Sequence, residues 1–194
     1  MINKAALRKE FSARRASISP EDKRFWDEEI YKRLVSFQPL RDASIVMTYM
    51  SFRNEVDTWK LVHYLLEHGI RVCIPRTDII SVNLTASEIF DPHSDLHPGL
   101  FKVPEPRPEK LLPVNIREID LHIIPGIVFD KSGHRIGYSR GFYDRYLADS
   151  PHSALLIGLA YDFQIVDKIP SEAWDIPVHH IISEKRVVDC ALFS

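Results

Sequence analysis

Cysteine is scarce and long apolar runs are absent in this sequence of 194 residues. Cys73 and Cys190 lie far apart and match neither a metal-binding nor a redox spacing, so a reduced chain without disulfides is expected. No apolar run approaches the roughly 18 residues that a membrane-spanning helix needs. The charged start of the chain also lacks the apolar core of a secretory signal. These absences predict a cytoplasmic protein without a membrane partner.

An excess of either charge is also missing. The 25 Lys and Arg residues nearly balance the 27 Asp and Glu residues, which leaves a formal net charge of −2. Nucleic acids and anionic membranes attract clustered positive charge, so neither is expected as the main partner. The hydrophobic content of 45% is ordinary for a globular domain, and this length predicts one domain over residues 1–194.

Helix and strand patterns alternate along the chain. Helix-start signals at Asn3 and at Ser19-Pro20 predict helices that run to about Arg15 and Phe37. The apolar runs at 44–50 and 70–75, joined by a helix over 57–68, predict a parallel strand–helix–strand unit. Further strands are predicted at 82–89, 121–124, 153–160, 180–183 and 186–188.

The alternation predicts an α/β fold: a single-domain, mostly parallel sheet with helices on both faces. Residues 91–113 are rich in proline and are expected to form a long surface connection without regular structure. Ligands of such sheets collect at the carboxyl ends of the strands, which places Glu55 on the functional side.

Glycine is rare, but four of the seven glycines lie between Pro125 and Leu147. The strand at 121–124 leads into this stretch, and a helix from about Phe142 to Ala148 leads out. Glycine lets backbone N–H groups approach an anion closely, and arginine presents a fork that matches phosphate oxygens. The stretch therefore predicts a phosphate or nucleotide site. Its charged side chains are Arg135, Arg140, Asp144 and Arg145.

Two other interpretations of this stretch stay open. It matches neither standard nucleotide fingerprint, so a glycine turn without a ligand is one possibility. The pattern G-x-S-x-G over residues 137–141 also outlines a hydrolase nucleophile elbow. That elbow is disfavoured because the preceding strand ends well before Ser139. Its partners would be Asp162 or Asp175 with His179 or His180.

Individual charged residues are ambiguous by themselves. Lys4 and Arg8 form a cationic row on the first helix, which is usually a solvated face. Asp144 could stabilise a helix start or ligate Mg²⁺ beside bound phosphates. Asp175, between Trp174 and Ile176, could have a special role or simply accept a local turn bond. The nine histidines show no metal-binding spacing.

Residues 133–147, G-H-R-I-G-Y-S-R-G-F-Y-D-R-Y-L, resemble the signature of the 5-formyltetrahydrofolate cyclo-ligase family. That signature is G-x-R-L/I-G-x-G-x-G-Y/F-Y-D-R-x-L. Other segments resemble the family in the same order, so the resemblance covers nearly the whole chain. They are residues 4–8, 51–58, 103–106, 125–126, 129–130, 160–164 and 174–177.

The resemblance implies a sheet of the ribose-phosphate isomerase and CoA-transferase group. It also implies that ATP and Mg²⁺ are used to convert 5-formyltetrahydrofolate into 5,10-methenyltetrahydrofolate. The implied partners are these small molecules, acting on a monomer or weak dimer.

By the same resemblance, Asp144 and Asp175 are the Mg²⁺ ligands, and Arg140 and Arg145 are catalytic. Arg140 would stabilise the transferred phosphoryl group, whereas Arg145 could hold a phosphate or the helix start. The implied ATP-binding residues are Lys4, Arg8, Arg135, Ile136, Gly137, Tyr138, Ser139, Arg140, Gly141, Phe142 and Tyr143. The implied folate-binding residues are Met50, Glu55, Tyr138, Arg140 and Phe142.

One departure from the family stands out. Ser139 occupies the position of the middle glycine, where a positive φ would cost serine roughly 1 kcal/mol or more. A non-catalytic relative that binds folate or nucleotide is therefore an alternative. A sugar-phosphate isomerase or acyl-transfer enzyme on the same fold is a second alternative.

Overall fold

The computed structural model describes residues 3–99, 102–138, 141–151 and 153–193. Ser139 and Arg140, which the sequence assigns to the site, lie outside these described residues. Within the described ranges, no helix is both long enough and apolar enough to cross a membrane.

Six α-helices are found among the described residues. Asn3 caps the first helix by accepting the Ala5 N–H at 2.8 Å, and Ser19 caps the second by accepting the Asp22 N–H at 3.0 Å. Gly69, at φ 72°, follows the fourth helix and confirms the predicted stop. The helices are α1 (Lys4–Ala16), α2 (Pro20–Ser36), α3 (Gln38–Asp42), α4 (Trp59–Glu67), α5 (Pro92–Asp95) and α6 (Phe142–Leu147).

Seven strands form the main sheet, in the order β12-β11-β9-β6-β1-β2-β3. The five inner strands are mutually parallel, and an antiparallel strand closes each edge. The mostly parallel sheet and the β1–α4–β2 unit are therefore confirmed. These strands are β1 (Ile45–Met47), β2 (Arg71–Asp78), β3 (Asn83–Ile89), β6 (Leu121–Ile124), β9 (Leu155–Leu159), β11 (His180–Ile182) and β12 (Val187–Asp189).

Both faces of this sheet are buried, because side chains alternate between two apolar clusters along each inner strand. In β1, Val46 packs with α2, α3 and α4 on one face. Ile45 and Met47 pack on the other face, which includes Tyr146 and Leu147 of α6. Helices thus cover both faces, although the second face carries only one short α-helix.

Two smaller sheets correct the sequence interpretation. Residues 91–113 are not free of regular structure, because β4 (Leu96–Pro98) pairs with β5 (Pro104–Pro106) after the short α5. The glycine-rich stretch is not a simple turn either. It holds β7 (Val128–Asp130) and β8 (Arg135–Ile136), which form an antiparallel pair. A further strand, β10 (Ile165–Val166), lies parallel to β7.

The small sheet of β10, β7 and β8 positions α1. Phe11 of α1 is buried to 4% exposure against Ile127, Val128, Ile136 and Ile169. This packing fixes the orientation of α1. Lys4 and Arg8 lie on the same stripe of the helix as Phe11, at i, i+4 and i+7, so their direction is fixed with it. Helix α1 therefore lies beside the loop that follows β8.

Candidate functional site

The cationic row of α1 is engaged in the fold rather than solvated. Lys4 Nζ lies 2.8 Å from Asp175 Oδ2, and Arg8 Nε donates to the Gly137 carbonyl at 2.9 Å. Lys4 and Asp175 are 171 residues apart in sequence. The first turns of α1 thus meet both predicted ATP-binding and metal-binding segments.

Arg135 connects the glycine-bearing loop to the segment that contains Asp175. Its side chain is only 5% exposed, and its guanidinium donates to Asp144 Oδ1 at 2.8 Å and to the Ile176 carbonyl at 2.6 Å. Asp144 Oδ1 also accepts the Ile176 N–H at 3.2 Å. Burial lowers the pKa of the Arg135 guanidinium, and the neighbouring Asp144 carboxylate opposes that change. These contacts bring Asp144 and Ile176, the residue after Asp175, to the same guanidinium.

The two carboxylates are held in similar ways. Asp175 Oδ2 accepts from Lys4 and from the Glu172 N–H at 2.9 Å. Burial opposes ionisation of Asp175, but these two hydrogen bonds and the charges of Lys4 and Arg135 together lower its pKa. Asp144 is held through Oδ1, as described above. Among the described residues, Asp144 Oδ2 and Asp175 Oδ1 receive no hydrogen bond, so each carboxylate keeps one oxygen open.

This donor set fits Mg²⁺, which binds through one or two carboxylates together with phosphate oxygens and water. A Cβ placed on Gly141 would lie 3.9 Å from Asp144 Oδ2, so that oxygen faces the loop. No group of three or more His, Cys, Asp or Glu side chains that could hold a metal occurs in the part of the chain described. A site built on Asp144 and Asp175 would need phosphate oxygens or water as further ligands.

Glu55 occupies a separate, enclosed position after β1. The residue is 8% exposed, and Glu55 Oε2 accepts the Phe52 N–H at 2.9 Å. Burial raises the pKa of Glu55, while the hydrogen bonds from Phe52 and from the Tyr138 hydroxyl oppose the rise. A buried carboxylate with spare acceptor capacity is suited to bind N–H groups of a ligand.

Arg15 also belongs to this site, although no motif in the sequence pointed to it. It is 7% exposed; its guanidinium donates to the Tyr138 hydroxyl and lies 5.5 Å from the Tyr138 ring centroid. Burial of the hydroxyl end, together with the nearby Glu55, raises the pKa of Tyr138 to about 12. Half of Tyr138 is nevertheless exposed, so its ring presents a free surface beside Glu55.

Three other predicted site residues have mainly packing contacts. Met50 is 1% exposed in the core cluster that includes α4, and Ile136 is 2% exposed against α1. Phe142 is half-buried and packs on the second face of the main sheet. Nothing in these contacts tests whether they touch a ligand, so their assignments stay predictions.

The loop itself has one open side. A Cβ on Gly137 would meet no atom of the described residues within 4 Å, and Gly141 adopts φ 62°. Burial raises the pKa of Tyr143, and the proximity of Glu55 adds to the rise. The loop that connects β8 to α6 thus has an accessible backbone at Gly137, while the segments on either side of the loop are fixed.

Arg145 extends from α6 toward the turn between β2 and β3. Its Nε donates to the Val82 carbonyl at 2.9 Å, and its Nη1 lies 3.6 Å from the Cβ position of Gly141. The side chain thus contacts a structural turn and also lies next to the loop. Both roles that the sequence left open, holding the helix and binding a phosphate, remain compatible with this position.

The residues proposed for a hydrolase triad form hydrogen bonds with other partners. Asp162 accepts from Arg186 at 2.8 Å and from Ser183 at 3.2 Å. His179 Nδ1 accepts the Leu156 N–H at 2.9 Å, and Asp175 is paired with Lys4. These separate contacts among the described residues disfavour the nucleophile-elbow interpretation.

Two shallow cavities lie apart from the Lys4–Asp175 and Arg135–Asp144 pairs. One, of about 290 Å³, lies between α2 and α4 and is lined by Asp27, Asp57 and Lys60. The other, of about 210 Å³, borders β3 and Tyr146. Neither includes the residues of the site, which is instead an open loop surface.

Comparisons with known proteins identify the family. A model of the 5-formyltetrahydrofolate cyclo-ligase family matches residues 1–184. The 5-formyltetrahydrofolate cyclo-ligase of Escherichia coli strain K12 is 31% identical over 175 residues, which cover 90% of this chain and 96% of the relative. The protein of that name from Mycolicibacterium smegmatis is 32% identical over 143 residues, covering 73% and 74% of the two chains.

Solved structures agree with this match. The NMR structure of Aquifex aeolicus 5,10-methenyltetrahydrofolate synthetase has a TM-score of 0.85 and 30% identity, and covers 97% of this chain and 93% of that one. A Mycoplasma pneumoniae 5,10-methenyltetrahydrofolate synthetase shares the fold at a TM-score of 0.76 and 24% identity, over 94% and 99% of the two chains. The resemblance of the glycine-rich signature thus extends to the whole fold, and the chain belongs to the 5-formyltetrahydrofolate cyclo-ligase family.

Proposed function

We propose that this protein converts 5-formyltetrahydrofolate into 5,10-methenyltetrahydrofolate and splits ATP into ADP and phosphate. It is an ATP-dependent ligase by its family. The proposal depends most on one structural observation: helix α1 contacts both parts of the candidate site. One end of this helix reaches Asp175 and the Gly137 loop, and the other end reaches Tyr138 beside Glu55.

The chemistry requires two ligands side by side. A formamide carbon is a poor electrophile, so the formyl oxygen first attacks the γ-phosphorus of ATP and ADP leaves. The nitrogen N10 of the folate then attacks the activated carbon, loses its proton, and phosphate departs as the ring closes. The protein has to hold the nucleotide and the formyl group in line and neutralise the charge on the transferred phosphoryl group.

Lys4, Arg8 and Arg135 supply the positive charge of the proposed ATP side. Arg8 is attached to the Gly137 carbonyl, and Arg135 lies across the loop from it. Gly137 leaves the backbone open to a phosphate, as close approach of an anion requires. Arg140 and Ser139 belong to the same proposed loop, and Arg145 lies beside Gly141.

Asp144 and Asp175 would hold Mg²⁺ through their open oxygens. When bound, the ion would offset the negative charge of the phosphates. Lys4 and Arg135 hold these carboxylates in place through the opposite oxygens. The protein thereby presents the two acids in fixed orientations, and the nucleotide would complete the set of ligands.

Glu55 and Tyr138 form the proposed folate side. The Glu55 carboxylate can accept hydrogen bonds from N–H groups at the edge of the pterin, and the exposed face of the Tyr138 ring offers a flat apolar contact. Met50 and Phe142 would border this position.

Three predictions accompany this proposal. We expect the fold to group with ribose-phosphate isomerase and CoA-transferase domains. We also expect a cytoplasmic location and a monomeric or weakly dimeric state in solution. Analytical ultracentrifugation would test the last expectation.

The direct test follows the ultraviolet absorbance of methenyltetrahydrofolate in a mixture of purified protein, 5-formyltetrahydrofolate, ATP and Mg²⁺. We expect absorbance to appear only when all components are present. Binding of both substrates by a folded protein without any product would favour the non-catalytic alternative. Product formed without ATP would contradict the proposal.

A further inference from the structure

Arg15 is a buried cation that connects α1 to Tyr138 of the candidate site. The residue is 7% exposed, and its guanidinium donates to the Gly126 carbonyl at 3.4 Å and to the Tyr138 hydroxyl. These partners are 111 and 123 residues away in sequence. A buried guanidinium is costly unless it is well paired, so its placement needs a reason.

The Tyr138 hydroxyl joins Arg15 to Glu55. A phenol has one proton to donate and lone pairs with which to accept. Because the hydroxyl accepts from Arg15, its proton is free to point toward the neighbouring Glu55 carboxylate. The Phe52 N–H donates to the same carboxylate at 2.9 Å. Donors from two loops therefore face Glu55.

We propose that Arg15 is a positioning residue for the folate: it acts through the Tyr138 hydroxyl to orient the Glu55 carboxylate. This inference rests on the function proposed above, in which Glu55 binds the folate. Arg15 does not itself touch a substrate. Its role is to hold the Tyr138 hydroxyl in the direction that Glu55 needs.

The position of Arg15 on α1 separates this role from ATP binding. Lys4 and Arg8 lie in the first turns of the helix, and Arg15 lies near its end. The rise of an α-helix puts Lys4 and Arg15 about 16 Å apart along the axis. Loss of the Arg15 contact should therefore weaken folate binding and leave ATP binding nearly unchanged.

The test is a double-mutant cycle measured by isothermal titration calorimetry. Arg15→Met, Tyr138→Phe and the double variant are titrated with 5-formyltetrahydrofolate, and separately with ATP and Mg²⁺. Arg14→Met is the matched control, because Arg14 lies on the same turn of α1 but stacks on Phe11 and Phe163, at 4.9 and 4.8 Å from the ring centroids. Thermal unfolding of each variant verifies that it is folded.

Each single substitution should raise the Kd for the folate about tenfold, as expected for a hydrogen bond to a charged group. For Arg15→Met the Kd for ATP should change less than about twofold, and the double variant should be no weaker for folate than either single variant. Arg14→Met should bind the folate like the wild type.

Several results would overturn the inference. Independent, multiplying losses in the double variant would mean that Arg15 does not act through Tyr138. An equal loss of ATP affinity would point to a general structural role. If Arg15→Met does not fold, Tyr138→Phe alone decides, since an unchanged folate Kd in that variant rejects the proposal. Wild-type binding of both ligands without turnover would contradict the proposed function but leave this cycle interpretable.

Discussion

Single charged residues in this protein are paired with partners from distant parts of the chain. Lys4 binds Asp175, Arg8 binds the Gly137 carbonyl, and Arg135 binds the Ile176 carbonyl. An exposed ion pair is worth little for stability, and the Lys4–Asp175 pair is partly exposed. Its value is therefore better explained by the direction that it gives to a carboxylate than by the energy that it adds to the fold.

Asp144→Asn tests the metal assignment at this scale. The amide keeps an oxygen that can accept from Arg135 and Ile176 but loses the charge that would attract Mg²⁺. We expect kcat/KM for ATP to fall about 100-fold or more, and the Mg²⁺ concentration for half-maximal rate to rise.

Asp162→Asn is the control for that substitution, because Asp162 is also an arginine-paired carboxylate but lies outside the site. This variant should have the same kcat/KM for ATP as the wild type. Near wild-type activity in Asp144→Asn would remove Asp144 from the metal site.

Glu55→Gln should change stability and folate binding in opposite directions. Burial raises the pKa of Glu55, so its ionised form is less favourable in the fold than in the unfolded chain. The free energy of unfolding of the wild type therefore falls as pH rises through this raised pKa. At neutral pH the glutamine variant should be the more stable protein, although it binds the folate more weakly.

Urea unfolding of both proteins across pH would measure this effect. The difference should shrink as pH falls toward the ordinary glutamate pKa of about 4, where the wild-type carboxyl becomes protonated. Glu109→Gln, at an exposed position, should show no such trend. A wild type that is more stable than Glu55→Gln at neutral pH would refute the argument.

Elements in this fold owe their positions to a few backbone features. Gly133 follows β7 at φ 87°, and the hairpin between β7 and β8 bends there. A Cβ at this position would overlap the Val178 carbonyl oxygen, whereas a Cβ on Gly69, at φ 72°, would meet nothing within 4 Å. The two glycines share the positive φ but differ in the space around them.

Alanine substitutions at these two glycines distinguish the cost of a positive φ from the cost of a steric clash. Gly69→Ala should lower the free energy of unfolding by about 1 kcal/mol, the cost of a left-handed alanine. Gly133→Ala should lower it by about 3 kcal/mol or more, since the backbone of Val178 must also shift. Urea denaturation measures both values, and equal losses would show that the contact with Val178 has no cost.

The small sheet is the part of the fold that the sequence did not predict. The helices α1, α2 and α4 were predicted from their caps and apolar spacing, and the inner strands from apolar runs. Strands β7 and β8 lie in a stretch where glycine and charged residues interrupt such runs. They form because β7 pairs with both β8 and β10, a contact that sequence order does not reveal.

At the scale of the whole molecule, α1 and the loop after β8 join the two halves of the site. The family signature located this loop and its carboxylates, and the resemblance assigned Lys4 and Arg8 to it. Arg15 was missed because it has no motif and its partners are more than a hundred residues away. Long-range pairing of this kind depends on how α1 packs on the small sheet. That packing is known only once the fold is known.

The two-part site also explains why nucleotide, sugar-phosphate and hydrolase chemistry could not be distinguished from composition. Glycines and arginines in one stretch indicate an anion, but they do not say which one. The second half of the site, Glu55 with Tyr138, comes from a loop between β1 and α4. Only both halves together favour a reaction in which a phosphoryl group passes to a second substrate.

The proposed function depends on one step, in which the formyl oxygen takes the phosphoryl group from ATP within this site. That step can be followed with 5-formyltetrahydrofolate carrying a heavy oxygen isotope in its formyl group, by mass spectrometry of the phosphate released. We expect one heavy oxygen in the phosphate for each methenyltetrahydrofolate formed. Phosphate without the heavy isotope, released in step with the product, would rule out this step.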